Sequence, residues 1–132
     1  MNTKTFEEVI IRFREIIFSE KFDTIVAIAN GGIVPAAILN QRLDIRMELL
    51  RINLRDSEQK IKYEYPKLLE PIDFEFKNKN ILLVDDRVKT GQTLQFATDL
   101  LREAKTVKTF AVNGKADYCL YDEDCFKFPW IV

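Results

Sequence analysis

Phe6, Val9, Ile10, Phe13, Ile16 and Ile17 recur at helical spacing, and Thr5 with Glu8 forms a capping-box pattern in front of them. That spacing predicts an amphipathic helix over about residues 5–20. The next apolar run, Thr24 to Ala29, is short and β-rich and predicts a first strand. Asn30-Gly31-Gly32 breaks it, and Pro35 stands where a helix can begin, so Ala36 to Leu43 is predicted helical. Arg46 to Leu54 alternates loosely and predicts a strand. Residues 55–71 carry no clean period and read as a mobile loop or a polar hairpin. Asn80 to Val84 is a buried strand. Thr93 to Glu103 is a helix with Leu94, Ala97 and Leu101 inward, and Val107 to Val112 is another strand. The tail from Lys115 to Val132 reads as short strands or loop. No internal repeat, linker or low-complexity segment interrupts this order.

Strands and helices that alternate in this way predict an α/β fold around a parallel twisted sheet flanked by helices. The length of 132 residues suits a single domain, 1–132, with a real core. On such sheets ligands sit past the carboxyl ends of the strands. The four glycines fall in three places. Gly31 and Gly32 follow the first strand, Gly91 follows the strand that ends in Asp85-Asp86, and Gly114 follows the last strong strand. All three places belong to one edge of the sheet, which favours a shared site over three ordinary turns.

Composition narrows the chemistry. Hydrophobic residues make up 47% and charged residues 31%, and the net charge is −1, so no broad basic field is available to grip a nucleic-acid backbone. No apolar run approaches the roughly 20 residues of a membrane span. The N-terminus lacks an apolar signal core, and a cytoplasmic location is the default expectation. Cys119 and Cys125 are the only cysteines and are expected to be free thiols. There is no histidine, so acid–base work falls to Asp, Glu, Lys, Tyr or the substrate.

Ile81-Leu82-Leu83-Val84-Asp85-Asp86 ends a buried strand on two carboxylates, which suits sugar hydroxyls or a divalent metal. Thr90-Gly91-Gln92-Thr93 then places backbone N–H groups and two hydroxyls at a helix start, where a phosphate binds well. The Gly-x-x-x-x-Gly-Lys-Ser/Thr pattern of nucleotidases is absent. A solvated loop or a capping aspartate is the plainer explanation of the acidic pair, but it leaves the adjoining phosphate pattern without a purpose.

The segment Leu82 to Leu94 resembles the phosphoribosyl-pyrophosphate (PRPP) motif of type I phosphoribosyltransferases: apolar run, two acidic residues, short loop, Thr-Gly-x-Thr. Ile25 to Ala37, with Asn30-Gly31-Gly32-Ile33-Val34-Pro35, resembles that family's pyrophosphate loop. The tail, with Lys115-Ala116-Asp117-Tyr118 and Phe128-Pro129-Trp130, is similar to the base-binding hood of the xanthine/guanine/hypoxanthine branch.

The resemblance implies a Mg²⁺-dependent enzyme that joins a nucleobase, a 6-oxopurine in this branch, to PRPP and releases pyrophosphate, as a homodimer. A non-catalytic PRPP or nucleotide sensor of the same fold is the alternative. It implies that Asp85 and Asp86 hold the ribose hydroxyls directly or through Mg²⁺, and that Asp85, Asp86 and Lys89 form the catalytic set. Val88, Lys89, Thr90, Gly91, Gln92 and Thr93 would wrap the 5′-phosphate. Asn30, Gly31 and Gly32 would hold the pyrophosphate across a cis or strained peptide. Residues 55–70 would be a closing lid, and residues 113–132 a hood. Lys115, Tyr118 and Phe126 would bind the base. Three positions depart from the branch: Lys89 stands in place of an aspartate, Asn30 in place of a common arginine, and Cys125 in place of a stacking tryptophan.

Overall fold

Three of the apolar runs become the centre of one sheet in the computed structural model, which describes residues 2–53 and 65–132. In chain order the elements are β1 (Asn2–Thr3), α1 (Phe6–Glu15), β2 (Thr24–Ala29), α2 (Ile33–Leu43), β3 (Arg46–Asn53), β4 (Lys67–Leu68), β5 (Asn80–Arg87), α3 (Gln92–Leu100), β6 (Thr106–Asn113), β7 (Tyr118–Tyr121) and β8 (Phe126–Lys127). The main sheet runs β4-β3-β2-β5-β6-β7. Every neighbouring pair in it is parallel except β3 with β4. The expected parallel sheet flanked by helices is therefore the fold of this chain.

Strand alternation sorts the core into two layers. Ile25, Ala27, Leu82, Val84, Phe110 and Val112 face one side and pack with Val9 and Phe13 of α1 and with Ala36 and Leu39 of α2. Val26, Ile28, Ile81 and Leu83 face the other side, against Leu94 and Ala97 of α3 and Leu101 beyond it. Ile72, Phe74 and Phe76 close that second layer from an irregular segment.

Several boundaries differ from the sequence expectation, each for a local reason. The first helix stops at Glu15 because Ile16 turns to extended backbone. Phe18 then enters a ring cluster with Phe22, Phe110 and Tyr118. β5 continues past Val84 to Arg87 because β6 keeps pairing with it, Asp85 opposite Ala111 and Arg87 opposite Asn113. α3 ends at Leu100, short of Glu103.

The unanticipated β1 pairs in parallel with β8, and Lys4 bridges Glu123 at 2.8 Å, so the chain start clasps the tail. Of the expected lid, residues 55–64 lie outside the described residues. Its remainder holds β4, and the Leu69 N–H donates to the Arg51 carbonyl at 2.8 Å. No helix among the described residues is long and apolar enough to cross a membrane.

Candidate active site

β2, β5 and β6 end side by side, and the site is built from the loops at their carboxyl ends. Adjacent residues of β5 face opposite ways, so Asp85 and Asp86 take different surroundings. Asp85 is buried, and its carboxylate accepts the Asp86 backbone N–H at 2.8 Å. Burial, then the negative charge of Asp86, push the Asp85 carboxyl well above the usual carboxylate range. Asp86 is half-buried and lies against the loop after β2. A Cβ placed on Gly31 would sit 2.7 Å from the Asp86 carboxylate. Glycine at 31 is what lets that carboxylate and the loop share the edge.

Gly32 is tighter still: a Cβ there would meet the Val84 carbonyl at 2.4 Å. The peptide between Ala29 and Asn30 is cis. Asn30 itself is exposed, and its side-chain oxygen accepts from the Arg51 guanidinium at 3.1 Å.

The loop from Val88 to Thr93 is anchored at one end and open at the other. The Val88 N–H donates to the Asn113 carbonyl at 2.9 Å, and Gly114 (φ 125°) packs so closely on Val88 that a Cβ would lie 2.5 Å from the Val88 carbonyl. Lys89 and Thr90 are exposed. Gly91 adopts φ 85° in front of α3, and the space its side chain would take has no atom within 4 Å. The Gln92 N–H donates to the Thr90 hydroxyl at 3.3 Å. The three glycine places of the sequence thus meet at one edge.

The hood is less uniform. Lys115 is exposed just past Gly114 at this edge. Tyr118 is not there. It begins β7 opposite Phe110, its ring packs on Phe18 at 4.8 Å, and its hydroxyl donates to Glu20 and lies 3.1 Å from the Ser19 hydroxyl. Those partners precede β2, at the opposite end of the sheet, so the expectation that Tyr118 binds a base is corrected. Phe126 is corrected too: it is 1% exposed, pinned between Tyr121 and Phe128, and offers no open ring face. The Phe128 ring instead stacks flat on Trp130, with centroids 5.1 Å apart.

Among the described residues no group of three or more His, Cys, Asp or Glu side chains could hold a metal alone. Asp85 and Asp86 supply hard oxygen donors. They suit an ion such as Mg²⁺, which takes one or two carboxylates and completes its shell with water and substrate oxygens.

The phosphoribosyl transferase domain family matches residues 2–128. The chain belongs to the phosphoribosyltransferases. A xanthine-guanine phosphoribosyltransferase of Idiomarina loihiensis is 32% identical over 120 residues, 85% of this chain and 73% of that one. An orotate phosphoribosyltransferase of Pyrobaculum islandicum is 30% identical over 104 residues, 79% of this chain and 50% of its own length. The crystal structure of a purine phosphoribosyltransferase from Pyrococcus horikoshii superposes with a TM-score of 0.79 at 25% identity, over 98% of this chain and 92% of that one. These likenesses place the chain in the type I fold and in the xanthine/guanine/hypoxanthine branch of this glycosyltransferase family.

Two arginines of this phosphoribosyltransferase carry no motif that marks them in the sequence. Arg51 lies near the end of β3 beside the Asn30 loop; a basic residue near the end of a predicted strand is its only signal. Arg87 comes directly after the acidic pair. Its guanidinium donates to the Phe126 carbonyl at 2.6 Å and lies 4.6 Å from the Phe128 ring centre. It therefore ties the hood to β5, a contact 39 residues apart in sequence that no local pattern announces.

Proposed function

We propose that this protein is a Mg²⁺-dependent phosphoribosyltransferase that joins a 6-oxopurine to PRPP and releases pyrophosphate, in nucleotide salvage. The observation that carries the reading is the Asp86 carboxylate seated on Gly31, which brings the sugar-binding strand and the leaving-group loop into contact. Asp85 and Asp86 hold the ribose hydroxyls and the metal. Val88 to Thr93 wrap the 5′-phosphate, with Lys89 pairing its charge. Asn30, Gly31 and Gly32 face the pyrophosphate. Lys115 meets the exocyclic oxygen of the base.

In the reaction the bond from C1 of the ribose to the pyrophosphate oxygen breaks, and its electron pair leaves with pyrophosphate. A ring nitrogen of the base forms the new bond to C1, and its proton passes to the departing pyrophosphate. The residues position two substrates and exclude solvent, so no protein nucleophile is required. Bound Mg²⁺ would neutralise charge on the leaving group and on the ribose oxygens. Free Cys119 and Cys125 suit a reducing, cytoplasmic compartment, and the half-exposed Phe6 and Ile11 of α1 suit a homodimer contact.

The test is pyrophosphate release from PRPP with guanine, xanthine, hypoxanthine, adenine, uracil and orotate in turn. Turnover is expected with a 6-oxopurine, and silence with every base would sink the enzymatic reading. Lys89, exposed where the branch carries an aspartate, favours one second reading: a PRPP or nucleotide sensor. Calorimetric binding of PRPP without turnover would select it.

A further inference from the structure

Asp122, Glu123, Asp124 and Cys125 are all exposed, so no buried side chain of their own fixes where they lie. Two residues at the carboxyl ends of β5 and β6 hold this stretch instead. Arg87 and Asn113 are partners in register. Asn113 is 3% exposed. Its side chain donates to the Glu123 carbonyl at 3.1 Å and to the Asp124 carbonyl at 3.4 Å, and accepts the Glu123 N–H at 3.0 Å. Arg87 takes the next carbonyl but one, that of Phe126, and lays its guanidinium over the Phe128 ring. Cys125 stands between the two holds. The Asn113 backbone carbonyl meanwhile accepts the Val88 N–H, where the loop to Thr93 begins.

Stability alone does not call for this pair. The Arg87 Nε is buried without an acceptor, and a buried donor left unpaired costs free energy. An apolar side chain at 87 would pack on Phe128 without that cost. The pair therefore spends stability at the edge where the three glycine places meet. The same stretch has a second hold from the chain start. Lys4 bridges Glu123 at 2.8 Å and lies over the Tyr121 and Phe126 rings. That contact involves neither β5 nor β6, and it supplies a control.

We propose that Arg87 and Asn113 are positioning residues for the base: they clamp residues 123–126 beside the ends of β5 and β6 and so set base affinity without touching the phosphoribosyl group. The inference rests on the function proposed above and deepens it. In that reading Asp85, Asp86 and the loop from Val88 to Thr93 take the sugar and the phosphate. The base then projects past the same strand ends, and the stretch that the clamp fixes forms its wall.

The experiment is calorimetry on the full chain with Mg²⁺ present, using ribose 5-phosphate and GMP as separate ligands. The two share the sugar and the phosphate, so the ratio of their affinities isolates the base. Wild type is compared with Arg87→Met, Arg87→Lys, Asn113→Asp and Lys4→Met. Arg87→Met keeps an apolar stem on Phe128 and loses the donors. It should weaken GMP roughly 10-fold, on the scale of one lost hydrogen bond to a charged group, and ribose 5-phosphate by less than about 2-fold. Arg87→Lys should restore part of the GMP affinity. Asn113→Asp turns the donor into an acceptor facing two carbonyls and should weaken GMP by a similar factor. Lys4→Met removes an exposed ion pair and should change either ligand by less than about 2-fold. Equal weakening of both ligands by Arg87→Met would make the clamp a plain support of the fold and overturn the inference, as would unchanged GMP binding. A GMP loss in Lys4→Met as large as in Arg87→Met would also overturn it, since any loosening of the tail would then suffice. Wild type that binds ribose 5-phosphate but binds GMP no more tightly has no base site; the proposed function then falls on the wild type alone, and the clamp's role falls with it. Should Arg87→Met fail to fold, Arg87→Lys and Asn113→Asp decide, and an unchanged ratio of the two affinities in both overturns the inference.

Discussion

The two ends of the sheet are built from opposite materials. At the amino ends of the strands, Phe18, Phe22 and Tyr118 pack edge to face, and Arg42 lies 5.3 Å from the Phe18 ring centre while donating to the Phe13 carbonyl at 2.7 Å. At the carboxyl ends stand glycines at positive φ, a buried carboxylate and loops packed at the limit of contact. The first end gains from apolar burial and ring contacts. The second holds groups that a stable fold would sooner avoid: Asp85 buried against Asp86, and an Arg87 Nε with no partner. Destabilising features gathered at one end mark the candidate site; the other end carries the stability.

The contrast can be broken first at the closed end. Phe110→Ala removes a fully buried ring stacked on Phe13, and it should lower unfolding free energy by about 3–5 kcal/mol in denaturant titrations. At the open end, Asp86→Asn should leave stability within ~1 kcal/mol but cut kcat/KM about 10²- to 10³-fold, since in the proposed reaction it removes charge aimed at the reacting centre. A large loss of stability in that variant would show that the open end also carries structure.

Gly32→Ala tests how tightly the open end is packed. The new Cβ would press on the Val84 carbonyl, and a loss of about 1–3 kcal/mol is expected, with the melting temperature as readout. Asp85→Asn should do the reverse in the ligand-free protein. The folded carboxyl titrates above its unfolded value, so its neutral form stabilises the fold at pH below the ordinary carboxylate range. That contribution is lost as pH rises through the folded value. The variant should therefore gain stability near neutral pH and flatten the fall of melting temperature with pH. It should also lose activity.

The smallest effect belongs to Tyr118→Phe. Loss of its hydroxyl contact with Glu20 should lower stability by about 1 kcal/mol or less and leave the KM for the base unchanged. A raised KM would return Tyr118 to the base site and blur the division between the two ends.

Much of the open end was legible because it is local. Asp85-Asp86 followed by Thr90-Gly91-Gln92-Thr93 is one strand, one loop and one helix start, and Asn30-Gly31-Gly32 is another such unit. The short strand pairing of the chain start with the tail was not legible, because two residues on each side carry no pattern of their own. The two base-binding aromatics were misplaced for a related reason. The order of strands is readable, but which side of a short tail strand turns inward depends on its partner.

By itself the sequence determined the alternation of strands and helices, the parallel sheet, and the edge where a site could form with its glycine- and threonine-rich loops. Each of these comes from periodicity or from residue chemistry within a few positions. Tertiary structure decided what crosses between elements. It seated Asp86 on Gly31 and placed Arg51 beside Asn30, 21 residues away. It turned Arg87 toward the tail and buried Phe126 beneath it. Side-chain partners across strands are fixed by register and packing, which a linear pattern does not contain.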